Sequence, residues 1–163
     1  MKQISSLVLR YVILLAVAIP NLYIFYLIFT PLTTYPVYFL LNLFNIPTAS
    51  ISLIPACIAG SAYYLLLILN LSTPSIKFIK RTKLILIAFA TFLIINILRI
   101  IFLCILYTSG SPFFDATHKI FWYAGSTILV IAIWFIQVKI YKIKHIPIYT
   151  DIKYLYRQTK KRK

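Results

Sequence analysis

The chain has 163 residues, 62% hydrophobic and only 12% charged, where soluble domains carry about 45–50% apolar and about 25% charged residues. That excess of apolar residues excludes disorder, a coiled coil and an ordinary soluble domain, and it points to a membrane protein. Charge narrows the chemistry further: 17 Lys and Arg stand against two acids, Asp115 and Asp151. Paired-carboxylate catalysis and carboxylate-bridged metals are thereby excluded, three glycines leave no phosphate loop, and two cysteines and two histidines far apart give no zinc spacing.

In chain order, the first long apolar run is Tyr11–Phe29. It is too long for the apolar region of a signal peptide, and no small-residue cleavage site follows, so it reads as a span. Tyr35–Ile46 comes next. Twelve residues are too few to cross a bilayer, which predicts a separate interfacial or re-entrant helix with Pro36 in its first turn. Pro47–Leu53 alternates small polar with apolar residues, as a short extended segment does. Ile54–Leu71, Leu84–Tyr107 and Ile120–Val138 supply three further spans.

Fifteen of the 17 basic residues fall on one side of such a bundle. They are Lys2 and Arg10, the group Lys77 to Lys83, and the residues from Lys139 onward. The positive-inside rule places that side in the cytoplasm. The expected fold is all-α: a polytopic bundle of about four transmembrane helices plus the short interfacial helix. Both termini are cytoplasmic, and residues 1–163 form a single domain. The basic tail, 139–163, reads as an anchor against anionic lipid heads rather than a nucleic-acid reader.

Four positions carry the candidate chemistry. Arg99 interrupts the third span, at a cost of about 2.5–3.5 kcal/mol on insertion scales, and Asn96 shares its helix face at i, i+3. The bland reading of Arg99 is snorkelling to the outer interface. Cys57 follows Pro55 at the start of the second span, where unpaired N–H groups and the helix dipole favour a thiolate. Cys104, mid-span, reads as packing, and His145, in the tail, has no evident partner. His118 closes the second outer loop, and histidine exchanges protons near neutral pH. The derived topology sets Cys57, Arg99 and His118 at the same outer level of three helices. A thiol, a guanidinium and an imidazole at one depth suit cysteine acyl transfer. Asn96 and Asp115 stand as substrate-contacting or supporting groups. No cofactor or metal is expected.

The same residues carry a family resemblance. Leu40–Ile46, Pro55-Ala-Cys-Ile-Ala-Gly60, Asn96-Ile-Leu-Arg99 and His118–Gly125 are similar, in order and spacing from about Tyr35 to Phe135, to the core of the archaeosortase/exosortase family. Many members have Cys-Ser-Gly where this chain has Cys57-Ile-Ala-Gly60, and His118 matches the bacterial branch. The resemblance implies a membrane cysteine transpeptidase or protease. Its substrates would be exported proteins ending in a short motif, a transmembrane helix and a basic tail. Cleavage would occur at the extracytoplasmic face of the cell membrane, with transfer of the new C-terminus to a lipid acceptor. Cys57 would be the nucleophile, with Arg99 and His118 dividing oxyanion stabilisation and proton supply. The competing expectation is a non-catalytic four-helix membrane protein that binds a partner or lipid, or a transporter subunit. In that case Arg99 pairs with Asn96 or a lipid phosphate and Cys57 is packing.

Overall fold

In the computed structural model, the described residues are 2–49, 51–73 and 76–143, with side chains described for Val12 and from Tyr23 onward within those ranges. The tail beyond Ile143, with His145 and Asp151, lies outside them, as do the side chains of Lys2 and Arg10. Six α-helices are present among the described residues, and no strand. They are α1 (Lys2–Leu43), α2 (Pro55–Ile58), α3 (Gly60–Ser72), α4 (Phe78–Thr108), α5 (Phe114–Ile120) and α6 (Ser126–Ile140). A single π turn, Phe121–Gly125, joins α5 to α6 without interrupting the right-handed backbone. Among the described residues, four helical stretches are long and apolar enough to cross a membrane: Tyr23–Leu43, Pro55–Ser72, Phe78–Thr108 and Phe114–Ile140.

α1 corrects one expectation. Tyr35–Ile46 is not a separate interfacial helix; as far as Leu43 it is the end of one 42-residue helix, about 63 Å long. The reason is a stripe at intervals of four. Phe25, Phe29, Thr33, Val37 and Leu41 are all buried and run unbroken past Pro31 and Pro36, which lie off that face. The packing gained along the stripe outweighs the backbone bonds that two prolines remove. Among the described side chains the packed stretch is Phe25–Leu41 and the apolar span is Tyr23–Leu43; most of the expected span Tyr11–Phe29 lies outside them.

The helix ends explain where the chain turns. After Leu43, Asn45 adopts a left-handed conformation (φ 55°), and the Ile46 and Asn45 N–H groups bond the carbonyls of Leu41 and Asn42. This reciprocal cap satisfies carbonyls that a helix end leaves open. α4 ends the same way at Gly110 (φ 64°), and α6 at Lys142 (φ 49°). Residues 46–49 and 51–54 are irregular. The Tyr38 hydroxyl donates to the Ile51 carbonyl at 3.1 Å and ties this segment back to α1.

α3 and α4 pack together, and α1 and α6 each pack on both. α4 contributes a second stripe at intervals of four: Leu84, Ala88, Phe92, Asn96, Ile100 and Cys104 are all buried. Small residues permit close approach: a Cβ on Gly60 would come within 3.0 Å of the Tyr26 ring. Around Tyr63 the core is aromatic. Its ring stacks on Phe29 at 3.6 Å and meets Phe92 edge-on at 4.8 Å. Outside, large apolar side chains such as Leu27, Leu86, Ile94 and Ile128 are more than half exposed, as a lipid-facing surface requires.

Candidate functional site

Lys77, Lys80, Lys83 and Lys139, all exposed, mark one end of the bundle as basic. The chemistry-bearing residues gather toward the other end. Cys57 is placed there by a broken helix. Pro55 starts α2, as its fixed φ favours at a first helical position. Ala59 then takes a left-handed conformation (φ 56°, ψ 42°), and α3 begins at Gly60. The expected single span from Ile54 to Leu71 is thus one turn, a break and a helix. Its consequence is local: the Cys57 carbonyl accepts a hydrogen bond from the Asn96 Nδ2 at 2.9 Å. The Cys57 N–H in turn donates to the Ile54 carbonyl at 2.8 Å. Cys57 therefore lacks the open N–H group expected at a helix start, and a single turn carries little of the dipole of a long helix. What the site offers Cys57 comes from α4 instead.

Arg99, on α4, is half-buried and turned into the bundle. Its Nη1 donates to the Ser126 hydroxyl at 2.7 Å, and its guanidinium lies 6.0 Å from the centre of the Phe121 ring. It does not pair with Asn96: the two share a face of α4, but Asn96 serves α2 and Arg99 serves α6. Cys57 and Tyr63 both lie within electrostatic range of the guanidinium. The Nε of Arg99 and the Oδ1 of Asn96 are buried without a partner.

His118 sits in the second turn of the final helical stretch, which begins at Phe114 rather than at Ile120. Its imidazole is stacked on Phe114 (5.4 Å, 12°) and met edge-on by Trp122 (5.9 Å). Tyr107 extends this aromatic row from the end of α4, 5.2 Å from Phe114. The ring plane is thus held by its faces, while both nitrogens stay free of hydrogen bonds among the described residues. The π turn follows at once, and such turns favour functional sites. Gly125 closes it against Phe121, where an added Cβ would stand 2.8 Å from the ring. The glycine thereby admits the ring that backs Arg99.

One cavity of about 470 Å³ unites these groups. Cys57, Arg99 and His118 all line it, together with Ser126 and the apolar side chains of Leu53, Ile100 and Leu103. Tyr26, Tyr107 and Trp122 also border it. Asn96 is not in the wall; it stands behind Cys57 and holds its carbonyl. Asp115 is exposed in the first turn of α5 and does not reach the cavity. There a negative charge favours the helix start. Cys104 packs in the core beside Val37, Leu41 and Ile100, as expected, but it lines the cavity as well. Sequence reasoning missed Ser126 and Tyr63. A hydroxyl directly after Gly125 was the only signal for Ser126, and nothing in Tyr63-Tyr64 separates a core ring from a site residue. No group of three or more His, Cys, Asp or Glu side chains able to hold a metal ion exists among the described residues. No protein-family model matches the chain, and no curated protein or solved structure matches it significantly.

Proposed function

We propose that this chain is a membrane-embedded cysteine transpeptidase or protease of the archaeosortase/exosortase type. The observation that carries this reading is the convergence of Cys57, Arg99 and His118, from three separate helical stretches, on one cavity. Cys57 Sγ, having passed its proton to His118, attacks the scissile carbonyl carbon, and the oxygen gains negative charge facing the Arg99 guanidinium. As the C–N bond breaks, His118 gives its proton to the departing amine, leaving a thioester on Cys57. An acceptor nucleophile, a lipid amine or hydroxyl in this reading, then takes the acyl group, or water releases it. A cavity of this size suits a few residues of extended peptide.

Orientation supports the same reading. The exposed lysines of the 76–83 segment and of the end of α6 mark the cytoplasmic side by the positive-inside rule, with both termini there, and the cavity faces the opposite side. A substrate with a C-terminal transmembrane helix and a basic tail obeys the same rule. It would present its motif at the level of Cys57.

The test is processing of a co-expressed exported protein that ends in a short motif, an apolar helix and a basic tail. Cys57→Ala abolishes processing while the protein still accumulates in the membrane. Cys104→Ala leaves processing nearly intact, at a stability cost of about 1 kcal/mol. A membrane-impermeant thiol reagent added outside intact cells labels Cys57. Normal processing by Cys57→Ala would return the chain to a non-catalytic bundle protein, in which the Arg99–Ser126 bond is only a structural clasp.

A further inference from the structure

Behind Arg99 the bundle holds polar atoms that the proposed chemistry does not use. Tyr63, on α3, is completely buried, and its hydroxyl makes no hydrogen bond. The Thr33 hydroxyl, from α1, is also completely buried; it stands beside Tyr63 without a well-formed bond between the two. The third such atom is Nε of Arg99, from α4. Three helices thus each carry one buried polar atom without a partner, and Tyr63, beside Thr33, lies within electrostatic range of Arg99.

Packing alone does not account for the Tyr63 oxygen. The stacking on Phe29 and the edge contacts with Phe89 and Phe92 belong to the ring, and phenylalanine would make them all. Burying a hydroxyl with no partner is unfavourable by about 1–3 kcal/mol. Buried polar atoms in such a setting are bridged by an ordered water, which needs two to four polar partners. The groups here supply both kinds: Nε–H of Arg99 can only donate, whereas the Tyr63 and Thr33 hydroxyls donate or accept.

We infer that Tyr63 is a positioning residue for Arg99: with Thr33 it holds a water that accepts the Nε–H of the guanidinium. The guanidinium is then fixed on two edges, by Ser126 at Nη1 and by the Tyr63 water at Nε, and its remaining donors face Cys57. This inference rests on the reading of Cys57 and Arg99 as a working pair. It adds a third helix, α3, to the groups that orient the site.

The experiment uses the full chain in lipid nanodiscs, with Cys104→Ala to leave one thiol and iodoacetamide as the probe. Tyr63→Phe removes one oxygen and keeps the ring. It is expected to slow alkylation of Cys57 about fivefold, the effect of losing one ordinary hydrogen bond. Arg99→Gln slows it at least as much. The double variant reacts no more slowly than Arg99→Gln alone, because Tyr63 acts through the arginine. Thr33→Val reproduces part of the Tyr63→Phe effect. A direct readout is the Nε–H signal of Arg99 in ¹⁵N-arginine-labelled protein, identified by its loss in Arg99→Gln. It moves in Tyr63→Phe and stays in place in the exposed control Tyr23→Phe. A parental rate and an unmoved signal in Tyr63→Phe, or effects of the two substitutions that add in full, overturn the role of Tyr63 and leave the Cys57–Arg99 pair standing. A parental rate in Arg99→Gln overturns both.

Discussion

Arg81 and Arg99 stand on the same helix, eighteen residues and about 27 Å apart, and the two ends of the bundle use them differently. Arg81 is a clamp. Its Nη1 and Nη2 donate to the carbonyls of Leu71 and Thr73 at 2.7 and 2.9 Å, closing the C-terminus of α3. Around it, Thr73 and Ser72 bond back to the Leu69 carbonyl, Asn70 to Leu66, and the Gln137 amide to the Leu84 carbonyl from α6. Among the described residues, only Oε1 of Gln137 stays unpartnered there. Near Arg99 the pattern inverts. Thr33, Tyr63, Asn96 and Arg99 each keep a buried polar atom without a partner, and a cavity opens beside them. In the proposed reading, a bundle that satisfies its polar groups at one end and leaves them open at the other has its closure at the first and its chemistry at the second.

The largest effect that can break this contrast comes from exchanging each arginine for leucine. Arg99→Leu removes transition-state stabilisation, so processing falls by about a hundredfold or more. Its thermal stability holds or rises, because a guanidinium leaves apolar surroundings. Arg99→Lys also loses most activity, since a point charge cannot hold Ser126 and face Cys57 with a planar fork. Arg81→Leu does the reverse. It strips a charged donor from two carbonyls and lowers stability by about 2 kcal/mol, while processing per folded molecule is kept. Thermal unfolding in detergent, measured beside processing, separates the two. An Arg99→Leu protein that unfolds, or an Arg81→Leu protein that folds but does not process, would erase the distinction.

A smaller effect belongs to Asn96, which joins the stripe of α4 to the site. Asn96→Ala deletes the donor to the Cys57 carbonyl and also the unpartnered Oδ1. The loss of one hydrogen bond and the removal of one orphaned atom oppose each other, so stability shifts by no more than about 1 kcal/mol. Cys57, no longer tied from α4, becomes less well placed, and processing falls about tenfold. Unchanged processing in Asn96→Ala would show that α2 holds Cys57 without help.

The spans were legible because long charge-free runs have few other uses, and α4 extends the expected Leu84–Tyr107 by only a few residues. Three things were hidden, each for a physical reason. The continuity of α1 was hidden because Pro36 reads as the first turn of a new helix; that it and Pro31 lie off the packed face depends on partners distant in sequence. The break at Ala59 was hidden because a left-handed turn is expected at glycine, and here the glycine comes one position later, against Tyr26. The depth of His118 was hidden because the final helix begins at Phe114, within what reads as a polar loop. At the site, residue type and position along the spans singled out Cys57, Arg99 and His118. The partners of Arg99, Ser126 and Phe121, emerged only from the folded arrangement, since a serine or a phenylalanine beside an aromatic belt is unremarkable in sequence.

The smallest expected effect tests the break that frees the Cys57 carbonyl. Ala59 and Ala62 are three residues apart, both buried in the same core, and Ala62 lies in the regular helix α3. Replacing either by glycine loses one buried methyl, worth about 0.8 kcal/mol. At Ala62 the glycine also loosens a helix interior, a further 0.5–1 kcal/mol or so. At Ala59 the glycine instead relieves a left-handed conformation that costs an L-residue roughly 1–2 kcal/mol. Ala62→Gly is therefore expected to lower stability by about 1.5 kcal/mol, and Ala59→Gly to leave it within about 1 kcal/mol of the parent. Processing by Ala59→Gly stays within about twofold, because Asn96 still fixes the carbonyl. Equal losses at the two alanines would mean that the helix runs straight through residue 59. The Cys57 carbonyl would then be engaged in the helix ladder, and Asn96 would have nothing to hold.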